Sequence, residues 1–207
     1  MKILLDVDAI SKLAHWGLLT ELPGILGIDI EAYSTVGSLK FRARKSIDAP
    51  DGKLFRTSEA AQHALNFIAL GTDLPDVAPE SLLVYENITG IDPGEALLLA
   101  ALAQNEGTLL LTGDKRAVKA AAALGCEVKS CIYGRVLIVE QIVLAALLTH
   151  GIEWLRERIC PQRHIDKAIS IVMGSECRAE RNSLIEGLSS YIKDVDDIDT
   201  PSLLAYL

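Results

Sequence analysis

The chain opens with an apolar run over residues 2–7 that ends in acids (I-L-L-D-V-D), the pattern of a parallel strand covered on both faces. Residues 9–19 then place Ile10, Leu13, Ala14 and Leu18 at helical spacing, and Leu22-Pro23-Gly24 stops the run. Further helices are predicted over 30–45, with Tyr33, Val36, Leu39 and Ala43 on one side, over 57–70 with Thr57 or Ser58 as cap, over 92–104 and over 117–124. Residues 46–52 and 71–79 read as turn and loop from their Gly, Pro and Asp content. A second buried strand is predicted at 108–112 and a short one at 127–132, while 82–85 fits either a strand or a helix end. Beyond Gly134 the pattern is helical over 136–150, 152–159, 165–173 and 178–192, followed by the tail K-D-V-D-D-I-D-T-P, read as a solvated linker or terminus. Strand and helix therefore alternate up to about residue 134 and helices alone follow. The expected organisation is an α/β unit at 1–134, carrying an insertion near 47–85, and a helical extension at 135–207.

Composition adds limits to this picture. Half of the 207 residues are apolar but only 5% are aromatic, so the core is expected to be aliphatic. Against 20 Lys and Arg stand 28 Asp and Glu, a net charge of -8, the wrong sign for non-specific coating of nucleic acid. The most apolar stretch, 136–149, is interrupted by Glu140 and Gln141 and is too short to span a bilayer. It is too broadly apolar for a one-sided surface helix, which leaves a central helix or an interface between copies of the chain. Cys126, Cys131, Cys160 and Cys177 form no dense framework and match no common zinc spacing, so buried free thiols are expected. A cytoplasmic protein with no membrane partner is the default.

Candidate chemistry lies where strands end. Open parallel sheets bind ligands outside the carboxyl ends of their strands. Asp6 closes the first strand, Asp114 follows a later one in L-L-L-T-G-D-K-R, and Glu95 lies in the first turn of the helix before that strand. Three carboxylates in one crevice repel one another unless a cation sits among them, and oxygen ligands suit Mg²⁺ or Mn²⁺. Each acid also has a local reading. Asp92-Pro93-Gly94-Glu95 fits a capping box, and Asp114 fits an N-cap. Asp6 is harder to explain locally, because a carboxylate closing an apolar strand is costly unless paired, solvated or bound to metal.

The segments I-L-L-D-V-D-A-I, G-E-A-L-L-L-A-A-L-A and L-L-T-G-D-K-R-A-V-K-A-A-A-A-L-G, in that order, resemble the PIN domain. The resemblance covers roughly residues 1–134. It implies a central parallel sheet flanked by helices, with Asp6, Glu95 and Asp114 as the acids that bind Mg²⁺ or Mn²⁺ and carry catalysis. The implied activity is metal-dependent cleavage of RNA, as the toxin of a toxin-antitoxin pair with an antitoxin or other protein partner, or in RNA processing. Toxin-type relatives are often dimers, which makes a homo-oligomer an expectation too.

Two alternatives use the same residues. Ser38 stands where PIN nucleases commonly carry a further Glu, and Lys115 and Arg116 stand where many relatives have another acid, the pattern of a degenerate PIN-like binding or assembly module. D-V-D-A also resembles the D-x-D of haloacid dehalogenase-like phosphatases, with Asp6 as nucleophile and Asp8 as general acid. For nucleic acid, Lys115 and Arg116 beside Asp114 are candidates to meet a phosphate. Lys40, Arg42 and Arg44 belong to a window, 40–56, of net charge +4, which fits either a phosphate-binding surface or a solvated helix face.

Overall fold

The computed structural model describes residues 1–50, 52–196 and 201–207. Five parallel strands form one sheet in the order β3-β2-β1-β4-β5: β1 (Lys2–Leu5), β2 (Tyr33–Thr35), β3 (Thr72–Asp73), β4 (Thr108–Thr112) and β5 (Val136–Ile138). Twelve α-helices among the described residues flank it. In the first part of the chain these are α1 (Val7–His15), α2 (Leu22–Leu26), α3 (Ser38–Asp48), α4 (Ser58–Leu70), α5 (Pro79–Tyr85), α6 (Pro93–Gln104) and α7 (Lys115–Ala122). The others are α8 (Cys126–Ser130), α9 (Val139–His150), α10 (Ile152–Ile159), α11 (Lys167–Val172) and α12 (Arg181–Asp196). The fold is the α/β architecture read from the sequence, a parallel sheet between helices with C-terminal helices following. No described helix is long and apolar enough to cross a membrane.

The apolar first strand behaves as its pattern requires. Ile3, Leu4 and Leu5 are buried, with β2 on one side and β4 on the other. Each such side chain contributes about 1.5–3 kcal/mol by leaving water. The caps expected at 57 and 92 are formed: Thr57 Oγ1 accepts from the Ala60 amide, and Asp92 and Glu95 close a reciprocal capping box. α1 and α3 each pack on α4, α5 on α6, and α9 against α2, α10 and α12. The broad apolar surface of 136–149 is thus accounted for within the chain, with Val139, Ile142, Val143, Ala146 and Leu147 all buried.

Several elements differ from the pattern reading. The segment 30–45 is not one helix: a 3-10 turn (Ile30–Ala32) leads into β2, and α3 starts only at Ser38 and runs on to Asp48. Residues 71–79 include the two-residue edge strand β3. Residues 82–85 belong to α5, and the strand expected at 127–132 is instead α8 followed by a turn. The sheet extends past Gly134, because β5 occupies 136–138 before α9 begins. The tail reading meets α12, which continues to Asp196; residues 197–200 lie outside the described residues, as does Asp51 of the turn at 46–52. After them the chain returns to the sheet, with Leu204 bridging Val136 in parallel and the Ala205 amide donating to the Val136 carbonyl at 2.7 Å.

The cysteines also differ. Cys160 and Cys177 are joined by a disulfide across a Cα separation of 6.0 Å, within the range such a bond needs. Cys126 and Cys131 are free but exposed, since α8 is a surface helix.

Candidate active site at the β1–β4 edge

The strand order reverses between β1 and β4: β2 and β3 extend from one side of β1, β4 and β5 from the other. At such a switch point the connections after neighbouring strands run to opposite faces and leave a crevice at their carboxyl ends. Asp6 follows β1 at that edge, and Thr112, Gly113 and Asp114 end β4 beside it.

Asp6 occupies the N-cap position of α1, yet its side chain does not cap the helix. Its Oδ2 accepts instead from the Thr112 hydroxyl at 2.9 Å, across the strand boundary. Only 7% of the residue is exposed. Burial lifts its carboxyl from an ordinary 3.8 to about 6; the Thr112 hydroxyl opposes this and the Asp8 charge adds to it.

Glu95 sits in the first turn of α6, where its Oε2 accepts from the Asp92 amide at 2.7 Å. Burial raises it from 4.5 to about 7, and after the opposing Asp92 amide bond the carboxylates of Asp92, Asp114 and Asp6 raise it further. With Asp6 it lines a cavity of about 10 Å³ floored by Leu98, Leu110 and Val118, room for one water. With Asp92, Asp114 and Arg116 it lines an outer cleft of about 310 Å³. Glu95 is therefore the link between the buried Asp6 and the more exposed Asp114.

Asp114 caps α7, its Oδ1 accepting the Arg116 amide at 2.8 Å. The Arg116 guanidinium also reaches back to it, Nη2 to Oδ2 at 2.7 Å and Nε to Oδ1 at 3.2 Å. Burial pushes the Asp114 carboxyl up, but Arg116 outweighs it and holds the group below the usual carboxylate range. The local readings of Glu95 and Asp114 as capping groups thus hold, and both still belong to the same crevice.

The basic candidates separate. Arg116 lines the outer cleft and is solvent-facing. Lys115 is turned away from it, ion-paired with Glu140 of α9, which is 2% exposed, and set over the Tyr191 ring. A buried carboxylate retains its partner strongly, so Lys115 is committed to fixing α7 on α9. Lys40, Arg42 and Arg44 are exposed on α3, outside the crevice.

Pattern reading missed Lys12. Its ammonium is 2.6 Å from Asp8, 2.7 Å from Asp166 and 3.0 Å from the Gly113 carbonyl. Burial alone would lower its pKa, but the two carboxylates more than offset this and raise it. The contact fixes the turn carrying Asp114, and a Cβ on Gly113 would displace the ends of the Asp8 and Lys12 side chains that form it. The Asp8 to Lys12 spacing of i,i+4 is a visible signal, but Asp166 comes from 154 residues further along the chain.

No cation ligand set is preassembled: among the described residues no three His, Cys, Asp or Glu side chains form a ready metal-binding group. Asp114 is drawn to Arg116 and Glu95 to the amide of Asp92. The donor chemistry nonetheless fits a hard divalent cation, since Asp6, Glu95 and Asp114 offer carboxylate oxygens alone and two of them carry raised pKa values from crowding and burial. Set against protein-family models, curated proteins and solved structures, the chain matches none of them.

Proposed function

We propose that the protein is a divalent-cation-dependent nuclease that hydrolyses RNA phosphodiesters at the β1–β4 edge, with Asp6, Glu95 and Asp114 as the groups that hold Mg²⁺ or Mn²⁺. The observation that carries the reading is that Glu95 shares one cavity with Asp6 and one cleft with Asp114 at the carboxyl ends of β1 and β4. Two carboxyls held at about 6 and about 7 stand beside a third acid at a switch point, and of the three only Asp114 has a cation, Arg116, paired with it among the described residues. The segments that resemble the PIN domain support the same reading.

A divalent cation, when bound, supplies a Lewis acid that lowers the pKa of a water and neutralises charge building on a phosphodiester. The chain's own groups do the rest. Thr112 fixes the Asp6 carboxylate by its 2.9 Å hydrogen bond, and Lys12 holds the Gly113 turn in place. Glu95 would offer its Oε1, since the Asp92 amide engages only Oε2, and Asp114 would share or exchange its contacts with Arg116. The Arg116 guanidinium, lining the outer cleft, would meet the phosphate with its planar donor pair.

One contact favours a second reading: the two-point Arg116–Asp114 pair occupies an acid that a cation needs, as in a module that binds without cutting. The phosphatase reading instead asks Asp8 to give a proton, and Asp8 is ion-paired with Lys12 at 2.6 Å. Purified protein incubated with a mixed RNA pool and Mn²⁺ tests all three. Cleavage by wild type that is lost in Asp6→Asn and in chelator is the expected result. Equal cleavage by wild type and mutant, or none with any metal, sinks the nuclease reading; RNA binding without cleavage selects the module. Turnover of a small phosphomonoester that is lost equally in Asp6→Asn and Asp8→Asn selects the phosphatase.

A further inference from the structure

α3 presents an unusual surface. Leu39, Ala43 and Ser46 are its buried positions, packed toward α4. At 3.6 residues per turn the opposite side centres on Phe41, with Arg44 and Lys45 three and four positions on and Lys40 and Arg42 at its flanks. Phe41 is 71% exposed, in a chain that has only three phenylalanines and buries the other two, Phe55 and Phe67. Lys40, Arg42, Arg44 and Lys45 are all exposed, and among the described residues none of them is ion-paired.

Helix stability does not account for this pattern. A cation in the last turn is favoured by the helix dipole, which covers Lys45. Lys40 and Arg44 at i,i+4 repel each other, and an exposed phenyl ring gains nothing from water. In a chain of net charge -8, four unpaired cations gathered around an exposed aromatic suit a polyanion that also offers flat apolar faces. Single-stranded nucleic acid is that ligand, because its unstacked bases present the π-faces that a duplex hides.

The helix also lies in the right place. α3 leaves the carboxyl end of β2, whose Thr35 pairs with Leu5 and donates its hydroxyl to the Leu5 carbonyl at 2.8 Å, next to Asp6. Ser38 begins α3 three residues later, so Phe41 stands about 5 Å along a helix that starts at the edge bearing the acids. We infer that α3 is the docking surface for a single strand of RNA, with Phe41 stacking on a base and Lys40, Arg42, Arg44 and Lys45 holding the flanking phosphates. The RNA identity rests on the hydrolysis reading; the single-stranded preference rests on α3.

Fluorescence anisotropy with a labelled 12-nucleotide RNA of mixed sequence, in EDTA so that no cleavage intervenes, tests this, with the same sequence as a duplex alongside. The expected result is tighter binding of the single strand, weakened about tenfold by Phe41→Ala, the loss of one stacked base. The Lys40→Gln/Arg44→Gln double variant should flatten the log–log salt dependence by about 1.4, two phosphate contacts on a single strand. These residues are exposed, so unchanged thermal melting confirms folding in each variant. Equal binding by wild type and variants, or equal binding of duplex and single strand, overturns the inference. So does self-association of the wild type in sedimentation that Phe41→Ala abolishes, which would make a second copy the occupant. Binding without cleavage leaves α3 standing and removes the hydrolysis reading; cleavage with a KM indifferent to the α3 variants does the reverse.

Discussion

Two groups of acids sit side by side at the carboxyl edge of β1 and β4, and α1 contributes to both. In one, Asp8 and Asp166 enclose the Lys12 ammonium, whose third contact is the Gly113 carbonyl. In the other, Asp6 and Glu95 line one cavity, neither is in an ion pair among the described residues, and their carboxyls are lifted to about 6 and about 7, while Asp114 alone has a cation, the exposed Arg116. In the first group Asp166 is held below the usual range because, against its burial, Lys12 favours its charge. The same backbone thus supports a closed cluster that supplies its own counter-ion and an open one that, on the proposed reading, takes one from solution. The first is a structural rivet under the site; the second is where the proposed cation would bind.

Removing the rivet is the strongest way to break this comparison. Lys12→Met keeps the stem and deletes the ammonium, leaving the buried Asp166 carboxylate with the Ile169 amide but without its counter-charge, a change that costs about 3–5 kcal/mol when a buried pair loses one member. Urea unfolding at pH 7.5 measures it, and adding Asp166→Asn to Lys12→Met should recover part of the loss. A cost under about 1 kcal/mol would mean the cluster is solvated and the contrast with Asp6 is false.

The open cluster should respond in the opposite sense. For Asp6 the folded pKa of about 6 exceeds the ordinary 3.8, so the folded state binds the extra proton between these values. The stability contributed by that proton is fully present below about 3.8 and lost as pH rises through about 6. Asp6→Asn, which keeps an acceptor for Thr112, should therefore match wild type at pH 3.5 and exceed it at pH 7.5 by up to about 3 kcal/mol. The same variant should lose any thermal stabilisation by Mn²⁺, an effect that in wild type grows from pH 5 to pH 7.5 as the proton that competes with the cation leaves. A stability difference that stays flat across this pH range would show that Asp6 is not strained by its surroundings.

The contrast also explains what the sequence made legible. β1 and β4 are continuous apolar runs, and α4 and α6 announce themselves by Thr57 and by Asp92 with Glu95, because strands buried on both faces and capped helices are local phenomena. The acids at the strand ends followed from the same local pattern. β2 was hidden because Tyr33, Ser34 and Thr35 are only three residues, and two of them satisfy their hydroxyls by long-range bonds, Ser34 with Thr72 and Thr35 with Leu5. β5 runs into α9 with no turn residue between Ile138 and Val139, so one apolar run served two elements. The Lys12–Asp166 pair was illegible for a further reason: Asp166 is brought to α1 by the C-terminal helices folding back, and no window of sequence contains both sides. Cys160 and Cys177 stand only 17 residues apart, but nothing in their spacing distinguishes a bonded pair from two buried thiols.

The smallest expected effect concerns the residue between the two clusters' behaviours. Arg116 gives Asp114 a partner, as Lys12 does for Asp166, but its side chain is 86% exposed and its pairing is open to exchange. An ion pair in water contributes little to folding, so Arg116→Ala should leave the unfolding midpoint unchanged. Its effect should instead be on the cation. Arg116 competes for both Asp114 oxygens and adds a like charge beside the incoming ion, so its removal should tighten Mn²⁺ binding several-fold by calorimetric titration at pH 7.5. RNA cleavage should fall at the same time, because the guanidinium that releases Asp114 is the one that receives the phosphate. Tighter Mn²⁺ with slower cleavage would show that Arg116 is a movable counter-ion. Weaker Mn²⁺ would show that the arginine positions Asp114 for the metal, and would place Asp114 with the closed cluster rather than the open one.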